Sequence, residues 1–368
     1  MIADIQSVFA RLGGNLVDPP MVMSATLPLE LSGEAIRSRL CIFTDNHNRD
    51  VALRPDLTLP LAVEEVAARK NGRSGEYTAR YVSRAFRQPL TPDQPAEFIQ
   101  IGCERYGYPS NPEIDAEIYT AVAQGALAGG AVAGVTHFGD LAVFDAFLNA
   151  LELSSSVART IGRAFREEGG IDAILSGEKR ETNAFAKRLK DVPADDANRL
   201  VSETMDMAGI RLVGTRSLDE VVERLVEQVK DGDASSLTDE AKAMLSSLVK
   251  IDVAAEVAPE ALLKTANQFG VTGIDDALEA LSVRLEKIKQ VAPEFLGDTR
   301  FAVSFGRRFT YYDGFVFQIS DPGADLSRPF GAGGRYDELL SRISGGEVDS
   351  SAIGGVVRPD RLPVKGSK

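Results

Sequence analysis

Hydrophobic and polar positions alternate one by one through FIQIGCE, residues 98 to 104. Ile99, Ile101 and Cys103 therefore share one face of an extended strand, and Gln100, Gly102 and Glu104 share the other. The first face predicts a core contact. The second can hold a ligand, because Gly102 leaves no side chain between the two acceptors. The preceding RYVSRAFR reads as a partner strand ending in Arg87, a permanent cation suited to a carboxylate or phosphate. An acceptor pair beside a guanidinium suits a free amino acid. Further on, alternation gives way to steps of three and four. SLDEVVERLVEQV puts Leu218, Val221, Val222, Leu225, Val226 and Val229 on one stripe, with Ser217 and Glu220 at capping-box spacing. SLTDEAKAMLSSLVKI and DDALEALSVRLEKIKQV follow the same rule. The small-residue run AVAQGALAGGAVAGV predicts a buried helix that feeds a core strand at VTHFGDLAVFDAF. From about residue 299 the strands return in FAVSFGRRFTYYDGFVFQI. The pattern thus predicts a mixed fold in three parts: a first sheet portion over 1–154, a helical insertion over 155–295, and the rest of the sheet over 296–368.

Composition narrows the classes. The chain has 368 residues, 44% hydrophobic and 26% charged, which excludes fibrous and disordered readings. Its formal net charge of −13 opposes nucleic acid, and no Lys/Arg run supplies a local basic face. With two cysteines, Cys41 and Cys103, and two histidines, His47 and His137, it has no recognisable zinc-ligand cluster. No metal or cofactor is expected. The first residues carry no targeting pattern and no window holds 18 consecutive apolar residues, so no membrane partner is expected and the location is read as cytoplasmic. On alternation alone, Gln100 and Glu104 read equally well as solvent-facing residues of an edge strand.

Ordered motifs decide between those readings. RYVSRAFRQPLTPDQPAEFIQIGCERYG (80–107) resembles motif 2 of the class II aminoacyl-tRNA synthetases, most closely histidyl-tRNA synthetase. LRPDLT (53–58) resembles that family's LRPEGT, and YYDGFVF (311–317) its histidine-specific YYTGTVF. AGGRYDELL (332–340) resembles AGGRYDGL, AIGGVVRPDRL (352–362) resembles motif 3, and NLVDPPMVM around Pro20 resembles the dimer-forming motif 1. The resemblance implies an α+β fold, a class II synthetase-like antiparallel sheet flanked by helices. It implies a histidine pocket in which Asp56, Thr58 and Gln100 hold the α-amino group. Glu104, Tyr311, Tyr312 and Tyr336 then receive the imidazole, and Arg307 with Arg87 the carboxylate side. The neighbouring Tyr311 and Tyr312, read as strand residues, are expected to face opposite sides.

The nucleotide half departs from the pattern. Arg87 is followed by Gln88, Pro89 and TPDQPAE, whose Asp93 and Glu97 would repel polyphosphate, and Arg358 stands where motif 3 has a glycine. Only PVKGSK follows Leu362, so no anticodon-binding domain is expected. A histidine pocket without these parts resembles the regulatory subunits of ATP phosphoribosyltransferase. That resemblance implies a non-catalytic, histidine-sensing activator that forms a homodimer within a hetero-oligomer with the short-form catalytic subunit. The alternatives are a histidyl-tRNA synthetase-like aminoacylating enzyme and an amino-acid sensor for another partner.

Overall fold

The computed structural model describes residues 1–32, 34–92, 94–132, 134–166, 169–176, 192–207, 222, 237–291, 298–306, 311–322 and 328–362. Helix α1 (Ile2–Ala10) buries Ile5, Val8 and Phe9, the i, i+3, i+4 stripe of an amphipathic helix. The two-residue β1 (Asn15–Leu16) leads to β2 (Val22–Ser24), α2 (Thr26–Leu31), α3 (Glu34–Arg37), β3 (Ile42–Thr44) and β4 (Asp50–Leu53). Here β2, β4 and β3 form a separate three-stranded antiparallel sheet. Arg54, 1% exposed, locks that sheet to its neighbour. Its guanidinium donates to the Arg84 carbonyl at 2.7 Å, to Asp18 at 3.1 Å and to the Pro19 carbonyl.

Helix α4 (Thr58–Lys70) follows, then the ten-residue strands β5 (Tyr77–Phe86) and β6 (Glu97–Tyr106), paired antiparallel along their whole length. Asn111 caps α5 (Pro112–Ala128) by accepting from the Ile114 N–H, with proline at the first helical position. The first part of the small-residue run, through Ala128, lies in this buried helix; the helix ends there, and the remainder leads through a turn into β7 (Val135–Asp140). The strand stops earlier than expected, however. Asp140 accepts from the Ala142 N–H at 3.1 Å and so starts α6 (Leu141–Asn149) in the middle of the run read as strand.

Residues 155–295 supply α7 (Ser155–Arg166), α8 (Gly170–Leu175), α9 (Ala194–Met207), α10 (Asp239–Val249), α11 (Ala258–Gln268) and α12 (Asp275–Val291). The 217–229 stripe lies outside the described residues, apart from the buried Val222. One short strand, β8 (Asp252–Ala254), interrupts the helices and adds to the sheet edge against β9 (Thr299–Ala302). Strands β10 (Phe315–Ser320) and β11 (Gly331–Arg335), α13 (Leu339–Ser344) and β12 (Ala352–Val357) complete the chain.

The nine-stranded sheet runs β1-β5-β6-β12-β11-β10-β7-β9-β8. Its centre is antiparallel, as expected; parallel pairing joins β1 to β5 and β7 to β9. The two faces of β6 separate two cores. Ile101 and Cys103 pack with Ile118, Tyr119 and Val122 of α5, whereas Phe98 and Tyr106 join Leu59 and Leu61 of α4 and Leu339 and Leu340 of α13. Buried charge ties the helical segment to the sheet. Arg284 of α12 donates to Asp115 at 2.7 Å and to Asp140 at 2.6 Å, and Arg335 of β11 donates to Asp115 at 2.6 Å.

Candidate functional site

The site sits on the α4 side of β6, where alternation aims Gln100, Gly102 and Glu104. Glu104 is 1% exposed. Its Oε1 accepts from the Thr58 hydroxyl at 2.8 Å and from the Tyr81 hydroxyl at 3.2 Å, and its Oε2 accepts from the Tyr336 hydroxyl. Three donors occupy three of the roughly four lone-pair sites of a carboxylate, which leaves about one for a ligand. Burial is the main cause that raises the Glu104 carboxyl to about 7; the three hydroxyls pull it down, and nearby Asp56 pushes it up.

Glycines make this arrangement fit. A Cβ on Gly354, directly across the ladder from Glu104, would lie 1.5 Å from Glu104 Oε2. A Cβ on Gly102 would lie 2.7 Å from the Tyr81 hydroxyl and 2.2 Å from the Gly355 carbonyl. Tyr81 is a site residue that the motif resemblance does not single out. Its signal is the inward set Ala79, Tyr81 and Ala85 on β5, which faces the same core as Glu104.

Asp56 stands just before α4, and its Oδ1 accepts from the Leu59 N–H at 3.1 Å. Its Oδ2 is buried with no hydrogen-bond partner among the described residues, and the same holds for Gln100 Oε1. Burial raises the Asp56 carboxyl, while Arg87 close by partly offsets that rise. Arg87 Nε donates to the Pro55 carbonyl at 2.8 Å, so the motif 2 arginine is anchored at the foot of this group. Gln100 and Glu104 do not act as adjacent acceptors: four residues of strand separate them by about 13 Å. They stand at two ends of the site.

The aromatic wall differs from its sequence expectation. Tyr311 and Tyr312 precede β10 and do not lie on it, so strand alternation does not apply and both turn inward. Their ring centroids are 4.8 Å apart, and Tyr336 completes the wall at 6.0 and 6.2 Å. Burial pushes all three hydroxyls up, which keeps them protonated and able to donate. Arg307 lies outside the described residues. The structure brings together Asp56, Thr58, Arg87, Glu104, Tyr311, Tyr312 and Tyr336, with Gln100 further along the same strand face.

Pro20 is exposed, in the segment that enters the small sheet. Leu16, Met21, Val22, Ile42 and Phe43, from the same region, are each 43% to 54% exposed. On the nucleotide side, Arg358 lies 3.4 Å over the Phe98 ring and donates to both oxygens of Asp360 at 3.0 and 2.8 Å. Glu97 is paired with Arg84 on the surface, and Asp93 lies outside the described residues. No group of three or more His, Cys, Asp or Glu side chains that could hold a metal occurs among the described residues. No helix among them is long and apolar enough to cross a membrane.

The family model for histidyl-tRNA synthetase matches residues 1–225 and 199–362. A protein of Chelativorans sp. (strain BNC1), described as an ATP phosphoribosyltransferase regulatory subunit, is 30% identical over all of this chain and 97% of its own. A protein of the same description from Sinorhizobium medicae is 29% identical over 98% of this chain and 95% of its own. Among solved structures, an ATP phosphoribosyltransferase regulatory subunit/histidyl-tRNA synthetase from Bacillus halodurans superimposes with a TM-score of 0.63 at 18% identity. That match covers 98% of this chain and 77% of the other and shows a shared fold.

Proposed function

The chain belongs to the histidyl-tRNA synthetase family, and from that membership and its near-full-length kinship with regulatory subunits of ATP phosphoribosyltransferase we propose that it is a histidine-sensing regulatory subunit of that enzyme. Free histidine occupies the site, and a short-form catalytic subunit supplies the chemistry. One observation carries the ligand. Asp56 Oδ2 and Gln100 Oε1 are buried acceptors with no donor among the described residues, and Glu104, hydrogen-bonded to Tyr336 of the aromatic wall, retains acceptor capacity. Unsatisfied buried acceptors are costly, and two neighbouring carboxylates favour a ligand that brings donors and positive charge.

The reading assigns Asp56, Thr58 and Gln100 to the α-amino group, and Glu104 with Tyr311, Tyr312 and Tyr336 to the imidazole. Arg87 and Arg307 take the carboxylate. It also assigns the exposed apolar surface around Pro20 to a homodimer contact, and the division 1–154, 155–295 and 296–368 to sheet, insertion and sheet. A catalytic role is disfavoured by Arg358, which covers the Phe98 face where a base would stack. The test mixes this chain with a short-form catalytic subunit, follows phosphoribosyl transfer to ATP, and titrates histidine against wild type and Glu104→Ala. Activation by the wild type, with histidine inhibition that Glu104→Ala abolishes, is expected. A rate and histidine response untouched by this chain overturns the regulatory reading, and histidine-dependent pyrophosphate exchange into ATP by the chain alone establishes the catalytic one.

A further inference from the structure

Tyr311 and Tyr312 wall the ligand site from a turn ahead of β10, and hydrogen bonds tie that turn to three neighbours. The Asp313 N–H donates to the Arg335 carbonyl at 3.1 Å, which joins it to β11. The Gly314 carbonyl accepts from the Leu141 N–H at 3.1 Å, at the start of α6. The Asp313 carboxylate accepts from the N–H groups of Asp337 and Glu338 at 3.0 and 2.7 Å, in the segment that enters α13. Burial is the main cause that raises the Asp313 carboxyl to about 7, and the Glu338 N–H pulls it down. The turn therefore lies where water is scarce and a donated hydrogen bond counts.

A fourth contact comes from the helical segment. Arg166, in the last turn of α7, donates from Nη1 to the Tyr312 carbonyl at 2.7 Å, across 146 positions of sequence. That length is typical of a charge-assisted hydrogen bond. Helix α7 is seated so that the contact can form. It buries Thr160, Ile161, Ala164 and Phe165, and Phe165 stacks on Phe144 of α6 with ring centroids 3.6 Å apart and planes 4° from parallel. Arg166 also acts on Asp145 of α6, whose carboxyl is raised by burial and pulled down by the guanidinium. A wall carbonyl and a neighbouring carboxylate thus share one cation.

We propose that Arg166 is a positioning residue for the ligand site, through which the helical insertion holds the aromatic wall and sets ligand affinity. Arg166 fixes the backbone of Tyr312, and the Tyr312 ring stands with Tyr311 and Tyr336 in the wall. The ligand's identity rests on the histidine reading, whereas the anchor rests on Arg166 and Tyr312 alone. Removing the guanidinium leaves the ties to β11, α6 and α13 in place, so the chain folds while the turn gains freedom. A ligand must then order the turn as it binds, and affinity falls by the fraction of time the wall is out of place.

The test compares the full-length wild type with Arg166→Ala, Arg166→Met and Arg166→Lys, and with Arg159→Ala, an exposed position on the same helix, as control. Amide hydrogen exchange without ligand reads the anchor, and calorimetry with histidine reads its consequence. In Arg166→Ala and Arg166→Met, exchange over residues 311–317 and at Asp337 and Glu338 should rise by about tenfold or more, the scale of a lost charged hydrogen bond. Exchange in β6 should not change. Histidine affinity should fall by about the same factor. Arg166→Lys should recover most of it, since an ammonium can also donate to the carbonyl, and Arg159→Ala should match the wild type. Unchanged exchange at the turn overturns the anchor, and so does a rise spread evenly over β6 and the insertion, which marks general loosening. A wild type that binds histidine, with variants that bind it equally well, overturns the link to affinity. If the wild type binds no histidine, the histidine reading fails and the exchange measurement alone decides the anchor. The methionine variant keeps the apolar stem, so misfolding of the alanine variant leaves it decisive.

Discussion

At the scale of the residue, Glu104 is expected to discriminate histidine from other amino acids, since its carboxylate is hydrogen-bonded to Tyr336 of the aromatic wall and keeps acceptor capacity there. Calorimetry should give heat with histidine and none with leucine, and Glu104→Gln should weaken histidine by about 1.5 to 3 kcal/mol. Equal heats for the two amino acids would remove the imidazole contact. The raised carboxyl also makes a stability prediction. Between the ordinary value of 4.5 and about 7 the folded chain holds a proton at Glu104 that the unfolded chain has released, so its contribution to stability falls as pH rises through that window. The stability of wild type minus that of Glu104→Gln should therefore drop by on the order of 3 kcal/mol between acid and mildly alkaline pH; a flat difference in denaturant titrations would contradict the burial argument. Gly354→Ala should displace the carboxylate it faces and abolish histidine binding in a folded chain. Alternation makes the shared face of Gln100, Gly102 and Glu104 and the core position of Cys103 legible in the sequence, while only the ordered motifs separate a pocket face from a solvent-facing one. Tyr81 is equally legible by the same rule on β5, although the motif resemblance passes over it. The need for Gly354 is not, because it arises from cross-strand register, which pairs residues 250 positions apart in sequence with no local trace.

Among the elements, α12 carries the most consequential single side chain outside the site. Arg284 neutralises Asp115 and Asp140, both buried, and bridges α5, the start of α6 and the segment that returns to the sheet. Asp115 keeps Arg335 as a partner, but removing Arg284 leaves Asp140 buried without its counter-charge, so Arg284→Ala should cost about 3 to 5 kcal/mol. Adding Asp140→Asn should recover part of that loss, because burial already pushes the Asp140 carboxyl up and Arg284 is the chief group holding it down. Denaturant unfolding of the single and double variants measures both; additive losses would show that the pair is not coupled. Helices with strong stripes are readable as elements, α10 and α12 among them. The end of β7 is not, because Asp140 caps a helix inside an apolar run that fits either period. The inward turn of Tyr311 and Tyr312 is also hidden. Two adjacent tyrosines ahead of a strand carry the same local pattern as strand residues, and only the backbone's departure from the extended form separates the two cases.

For the molecule as a whole, the sheet's interruption is visible in outline, since strand alternation stops near residue 150 and resumes after 299, but its order is set by long-range pairing that no window of sequence contains. The exposed apolar residues Val22 and Phe43, on the small sheet near Pro20, mark the surface expected to close a homodimer. Sedimentation should show a dimer that Phe43→Arg converts to monomer, and a monomeric wild type would remove this assignment. Linkage sets a further requirement on the assembly. If histidine inhibits the complex by favouring one conformation, the coupling between histidine and the active assembly is a free energy of roughly 1 to 3 kcal/mol, or about 5- to 150-fold. Coupling of binding is reciprocal, so the catalytic subunit must change the histidine affinity of this chain by the factor with which histidine changes the affinity between the subunits. Titrating histidine into the chain alone and into the assembled complex measures the first factor. Measuring assembly with and without histidine gives the second. Equal factors above about fivefold establish that the Glu104 site and the subunit contact are two ends of one equilibrium; a histidine affinity indifferent to the partner would mean that the pocket, however well filled, regulates nothing through it.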